Sequence, residues 1–208
     1  LYCLPMYLVC RKWFKSQMYV PFLMLIGSFS FFSYGTNGIR NGLATSILLL
    51  AFAHSKIAIR ISLFVIAFFV HGSSMIPIAA FVISKAYKNT KYYLIGWFLS
   101  IPLSVGLGSF WENLFARLSF NEVRSSYLTT EIDQSAFAYT GFRWDFVLYS
   151  FTAVYASYFF IVKRKFKDEI YQQLCNIYLL ANTIWIIVIR ANFSNRFAYL
   201  SWFMISII

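Results

Sequence analysis

Charge is what this sequence has least of. Only 12% of its 208 residues are Asp, Glu, Lys or Arg, against 60% hydrophobic and 22% aromatic, a balance that no water-soluble core of this size could hide. Acids are scarcest, seven in all, and no Asp-x-Asp pair of the sort that holds a divalent ion for a nucleotide-sugar donor occurs. The three cysteines, Cys3, Cys10 and Cys175, lie in or beside apolar segments without metal-type spacing and are read as buried small hydrophobes. No disulfide and no metal site is implied. Alternation of apolar and polar residues is missing too: runs such as Ile57 to Val70 do not alternate, which excludes a transmembrane β-barrel.

What is present is a succession of apolar runs separated by short clusters of Lys, Arg, Asn and Gly. This pattern predicts an all-α, polytopic transmembrane helical bundle of about seven to nine membrane segments, forming a single transmembrane domain over residues 1–208 with no soluble domain. One segment ends near Cys10; others run from Met18 to Tyr34, Ile39 to Ala53, Tyr92 to Ser109, Phe142 to Val162 and Ile170 to Ile189; a last begins at Phe197. The chain starts at Leu1 and stops inside the run Phe197 to Ile208, too short at about 1.5 Å per residue to cross ~30 Å, so a fragment of a longer bundle is expected.

The stretch from Ile57 to Ser84 is longer than one span needs and is interrupted by His71-Gly72-Ser73-Ser74 and then Pro77. Each leg of about 14 residues rises only ~21 Å as helix, which predicts a broken or hairpin element with its turn inside the membrane profile. Charge supports that topology. A hairpin puts all nine lysines on one side, including the cluster in the loop 163–169, whereas a plain span moves that cluster across the membrane. The net charge of +11 is therefore a topology signal, and no nucleic-acid partner is implied. The lysine side is expected to be cytoplasmic. The opposite face then holds Arg40, Arg117, Arg124, Arg143, Arg190 and Arg196 and no lysine.

A face with arginine alone suits a phosphate ligand, because guanidinium forks match phosphate oxygens in pairs and stay charged at any working pH. Glu112, Glu122, Glu131, Asp133 and Asp145 share that side, so Arg117, Arg124 and Arg143 are equally read as surface partners of acids. The expected external loop 110–141 is rich in aromatic rings that stack on sugars; Glu112 and Asp133 there would accept hydroxyl protons and are rival bases. An amphipathic interfacial helix is the alternative reading of that loop. Arg40 follows Gly35-Thr36-Asn37-Gly38-Ile39 at the start of a helix, where unpaired backbone N–H groups and the positive dipole end favour an anion. His71 sits at the hairpin break beside Ser73 and Ser74, an ionisable group within an apolar stretch, suited either to proton transfer or to a structural hydrogen bond. His54, next to Lys56, is read as solvated.

Asn37-Gly-Ile-Arg40-Asn-Gly-Leu-Ala44, a helix ending near Lys56 and then, about thirty residues on, Phe68-Phe-Val-His71-Gly-Ser73 resemble the EpsG-type family of Wzy-like O-antigen and exopolysaccharide polymerases. Their pattern is an Asn-x-x-Arg-polar-small-Leu/Ile-Ala helix start and then Phe-His-x-Ser; here Asn41 stands at a place commonly Gln. The match covers about 50 of the 208 residues directly. The resemblance implies a multi-pass glycosyltransferase of the bacterial inner membrane. Such an enzyme joins undecaprenyl-diphosphate-linked oligosaccharide repeats into O-antigen, capsule or exopolysaccharide, with no cofactor. It further implies His71 and Arg40 as catalytic residues, with Asn37, Asn41, Ser73 and Arg190 or Arg196 toward substrate, to which the loop reading adds Glu112 and Asp133. The implied partners are the lipid bilayer, chain-length regulator proteins and flippases. Rival readings are a flippase or transporter of lipid-linked oligosaccharides and a non-catalytic subunit of a polysaccharide assembly complex.

Overall fold

The computed structural model describes residues 2–118, 141–190 and 195–208, apart from the side chains at 109, 112, 113, 115–118 and 195. All regular structure among the described residues is helical, as the sequence predicts. In chain order the α-helices are α1 (Cys3–Phe14), α2 (Tyr19–Ile26), α3 (Phe29–Asn37), α4 (Ile39–Ala53), α5 (Ile57–Val70), α6 (Met75–Ala86), α7 (Thr90–Leu118), α8 (Trp144–Ser157), α9 (Glu169–Ile187) and α10 (Asn195–Trp202). One stretch among them is long and apolar enough to cross a bilayer: α8 with its π-helical continuation, Trp144–Lys163, 20 residues or about 30 Å. The segments Ile39–Ala53, Ile57–Val70 and Gly72–Ala86 are shorter apolar helices. By that measure one span is seen among the described residues where the sequence predicts seven to nine.

The chain divides into two compact units, Leu1–Tyr87 with Tyr199–Ile208, and Lys88–Ala198. Each is built round a helix buried on nearly every side. In the first unit that helix is α4, whose small residues Gly42, Ala44, Thr45, Ser46, Ala51 and Ala53 let neighbours approach closely. Gly42 is the tightest point: a Cβ there would lie 2.7 Å from Tyr34 Cβ and 3.1 Å from Tyr2 Cζ. In the second unit the buried helix is α9, tied by polar contacts. Trp97 Nε1 donates to Asn182 Oδ1 at 2.7 Å, Asn182 Nδ2 to Ser150 Oγ at 3.2 Å, and Tyr178 Oη to the Ser150 carbonyl at 2.7 Å. Of the cysteines, Cys10 and Cys175 are buried as expected, while Cys3 is exposed.

The stretch over 57–84 is broken where the sequence predicts. Helix α5 ends at Val70, His71 is extended (φ −154°, ψ 110°), Gly72–Ser74 form a 3-10 turn, and α6 begins at Met75. Pro77 falls in the first turn of α6, where a missing N–H costs no hydrogen bond. The chain doubles back: Phe81 of α6 lies 5.2 Å from Phe64 of α5 and stacks at 5.5 Å on Phe52 of α4, with the Arg60 guanidinium over its face. Two other boundaries differ from expectation. The run Met18 to Tyr34 is two helices, because Ser28 caps α3 by accepting from the Phe31 N–H at 3.2 Å, a start signal inside an apolar run. Helix α7 continues to Leu118, into the residues expected to form the external loop from 110, with an interruption of helical geometry at Leu107 (φ −127°, ψ 28°).

The outward faces are apolar while Ser, Thr and Asn are buried. Helix α5 buries only Ala67 and presents Ile61, Val65, Ile66, Phe68 and Phe69 outward, Phe69 at 79% exposure. Asn41, Thr45, Ser46, Ser150, Asn176 and Asn182 are inside. Water would not tolerate such a surface on a monomer of this size, and it is that of a membrane protein.

Cations also segregate within each unit. In the first, Lys12, Arg60 and Lys85 gather at the end of α4 marked by His54, while Arg40 and His71 stand at its beginning. His54, just past α4, is partly exposed; burial first, and then the Lys12 and Arg60 charges, hold its imidazole below its ordinary value. In the second, Lys88 meets Glu169 at the start of α9, and Arg190 follows its end.

Gly42→Ala will force Tyr34 and Tyr2 away from α4 and lower unfolding stability in detergent by about 1–3 kcal/mol. Gly35→Ala, whose Cβ meets nothing within 4 Å, will be neutral or stabilising by up to about 1 kcal/mol. Equal thermal shifts for the two variants would contradict the packing described.

Candidate functional site at the helix break

The site is assembled from two sequence segments thirty residues apart. Gly38 ends α3 and opens α4, its own N–H donating to the Tyr34 carbonyl at 3.2 Å and its carbonyl accepting from Gly42 N–H at 2.8 Å. That places Arg40 in the first turn of α4, among N–H groups that have no helical acceptor. Its side chain crosses to the end of α5, where Nε and Nη2 both donate to the Val70 carbonyl, at 3.2 and 3.0 Å. Val70 is the last residue of α5, so its carbonyl lacks the helical donor that a continuing helix would supply. Two of the five guanidinium N–H groups are used here. Arg40 is exposed, and the rest of the fork remains open to an incoming oxygen.

The next residue is His71, one peptide from the carbonyl that Arg40 grips. Its Nδ1 is 2.5 Å from Ser73 Oγ, and its own carbonyl accepts from Ser74 Oγ at 2.8 Å and Ser74 N–H at 3.0 Å. The turn is thereby closed on itself and the imidazole orientation fixed. In the tautomer in which Nδ1–H donates to Ser73, the basic lone pair is on Nε2. Asn41, next to Arg40 on α4, is buried, and its Oδ1 has no hydrogen-bond partner in the protein; the Tyr2 hydroxyl near Gly42 is in the same state. Buried acceptors and hydroxyls in that condition mark places where a water or a ligand hydroxyl completes the bonding. Asn37, the last residue of α3, is exposed.

The structure thus brings Arg40, Asn41, His71 and Ser73 together in the first unit. Arg190 and Arg196 belong to the second. Arg190 repeats the theme of Arg40: its Nη2 donates to the Val105 carbonyl at 3.1 Å, just before the interruption of α7 at Leu107. Its chain crosses α7 at Gly108, where a Cβ would come 3.2 Å from Arg190 Cδ. Arg196 is exposed in the first turn of α10. Arg143 is a local partner of an acid, its Nε and Nη2 meeting the two carboxylate oxygens of Asp145 at 2.9 and 2.6 Å. Glu112 lies on α7 with its side chain outside the described residues, and Asp133 is outside them altogether.

Sequence reasoning missed the carbonyls of Val70 and Val105, which are main-chain groups and leave no residue-type signal. It also missed the slot for Arg190, although Gly106-Leu107-Gly108 is a visible break signal. Arg40→Gln will remove the charged donor from the Val70 carbonyl and loosen the turn. Amide exchange at residues 71–75 will accelerate several-fold, a local cost of about 1 kcal/mol, while exchange in α9 stays unchanged. Unaltered exchange at those amides would show that Arg40 does not hold the break.

The sequence profile of the EpsG family matches residues 2–208, nearly the whole chain. No curated protein and no solved structure matches it.

Proposed function

The chain belongs to the EpsG family, and from that membership we propose that it is a multi-pass glycosyltransferase of the bacterial inner membrane that polymerises undecaprenyl-diphosphate-linked oligosaccharide repeats into exopolysaccharide, capsule or O-antigen. The observation that carries this reading is the Arg40 fork on the Val70 carbonyl, which unites the two halves of the motif, Asn37 to Ala44 and Phe69 to Ser73, at one helix break. Apolar outward faces and the gathering of lysines near one end of each unit support a bundle of several passes.

In the proposed reaction a hydroxyl of the acceptor glycan attacks the anomeric carbon of the donor's first sugar. A glycosidic C–O bond forms, the C–O bond to the diphosphate breaks, and the hydroxyl proton passes to Nε2 of His71. Undecaprenyl diphosphate leaves with the bonding electron pair. Its growing negative charge meets the open N–H groups of Arg40 and the first-turn amides of α4, electrostatic stabilisation that strengthens as the bond breaks. Ser73 keeps the imidazole in position, and Asn41 and Asn37 take sugar hydroxyls. Arg190, Arg196, Glu112 and Asp133 are proposed as further substrate-binding residues. Chain-length regulator proteins and flippases are the expected partners.

The test is complementation of a polymerase-deficient strain with the parent gene carrying Arg40→Lys or His71→Ala, reading glycan length at matched protein level. His71→Ala will cut polymerisation by about a hundredfold or more, and both variants will collapse the ladder to single repeat units. Arg40→Lys keeps the charge but loses the two-point geometry. Normal ladders in both would overturn the proposed site. Loss of all surface glycan with lipid-linked repeats accumulating inside would identify a flippase instead.

A further inference from the structure

The second unit has an apolar groove on its outer side that the proposed reaction does not use. Leu94, Ile95, Phe98 and Leu99 of α7 form one wall, Tyr158 and Val162 of the π-helical continuation of α8 the other, and Lys91 closes one end. Its volume is about 450 Å³, within the range of sites that hold a small ligand. The walls offer almost no polar atoms, and Ile95, Phe98, Leu99 and Tyr158 are each about half exposed along it.

The charge at its end is unusual. Asn89 Oδ1 accepts from the Lys91 N–H at 3.1 Å, which caps α7 and fixes Lys91 in the first turn. A cation there faces the positive end of the helix dipole, and the first turn of α7 holds no acid to offset it. The other wall ends in Lys163, Arg164 and Lys165, all exposed. The nearest paired acid, Glu169, is 3.7 Å from Lys88. An apolar channel that opens onto clustered cations complements an amphiphile with an anionic head and hydrocarbon chain.

We propose that this groove binds an anionic glycerophospholipid of the surrounding bilayer, its phosphate at Lys91 and the start of α7 and one acyl chain between α7 and the π-helix. Within this unit the groove lies at the lysine end, away from Arg190, so the bound lipid is a bilayer component rather than the polymerisation donor. The occupant would brace a π-helical segment whose wider turn leaves the apolar gap that the chain fills.

The test uses the purified chain in nanodiscs of phosphatidylethanolamine and phosphatidylglycerol, followed by native mass spectrometry of the lipids it retains on release into detergent. Wild-type protein will keep phosphatidylglycerol over phosphatidylethanolamine. Lys91→Gln will reduce that retention roughly fivefold, the effect of about one cation. Ile95→Trp, at an exposed position, will fill the groove and abolish retention without lowering the thermal midpoint. Equal retention of the two lipids would overturn the anionic preference. Unchanged retention in both variants, or loss only on replacing Lys163 and Lys165, would overturn the groove as the site. Displacement of phosphatidylglycerol by added undecaprenyl phosphate at equimolar amounts would overturn the choice of a phospholipid.

Discussion

A helix that stops between apolar faces leaves carbonyls in need of a donor, and the donation from Arg40 to Val70 is the contact on which the first unit depends. It allows α5 to end at the middle of its hairpin, and the turn that follows is satisfied by its own residues, Ser73 on the imidazole and Ser74 on the His71 carbonyl. Because the arginine starts α4 and the carbonyl ends α5, these two hydrogen bonds tie the start of one helix to the end of the other beside His71. Arg190 meets the same requirement in the second unit, where α7 is interrupted near Val105. A lysine in place of Arg40 could neutralise an anion, but it would lose the planar fork that sets two nitrogens on one carbonyl.

The interior of each unit follows from the apolar exterior. Packing against lipid offers helices no hydrophobic gain on association, so close approach and internal hydrogen bonds hold them together. Gly42 lets Tyr34 and Tyr2 cross α4, and the Trp97–Asn182–Ser150 chain links three helices through side chains that would be solvated in a soluble protein. The cations follow the same logic. Lysines and their long apolar stems gather at one end of each unit, while toward the other end Arg40 and Arg190 bond to main-chain carbonyls and Arg143 pairs with Asp145.

Much of this is legible in the sequence. Runs of apolar residues without alternation specify helices, and His71-Gly72-Ser73-Ser74 marks a break because an extended histidine followed by small residues cannot continue α5. The gathering of lysines near one end of each unit follows the clusters visible in the sequence. What the sequence hides is the identity of main-chain partners and the depth of contacts. Gly42 is one glycine among nine, and nothing in its neighbours announces that Tyr2 and Tyr34 lie against it. The division of Met18 to Tyr34 at Gly27-Ser28 was legible in principle, since Ser28 is a standard cap, but the apolar run around it masks the signal. Asn41 is polar yet buried, a state that composition cannot distinguish from a surface asparagine at a helix start.

In the proposed reaction the helix break at Arg40 and His71 binds a lipid diphosphate. The most direct measurement is the affinity of the purified protein for undecaprenyl diphosphate, titrated in detergent at fixed salt and compared between wild type, Arg40→Gln and Arg11→Gln. Saturable binding that weakens at least about tenfold in Arg40→Gln and is unchanged in Arg11→Gln is the predicted result, a loss of about 1.4 kcal/mol or more. Equal affinity in wild type and Arg40→Gln would contradict the account.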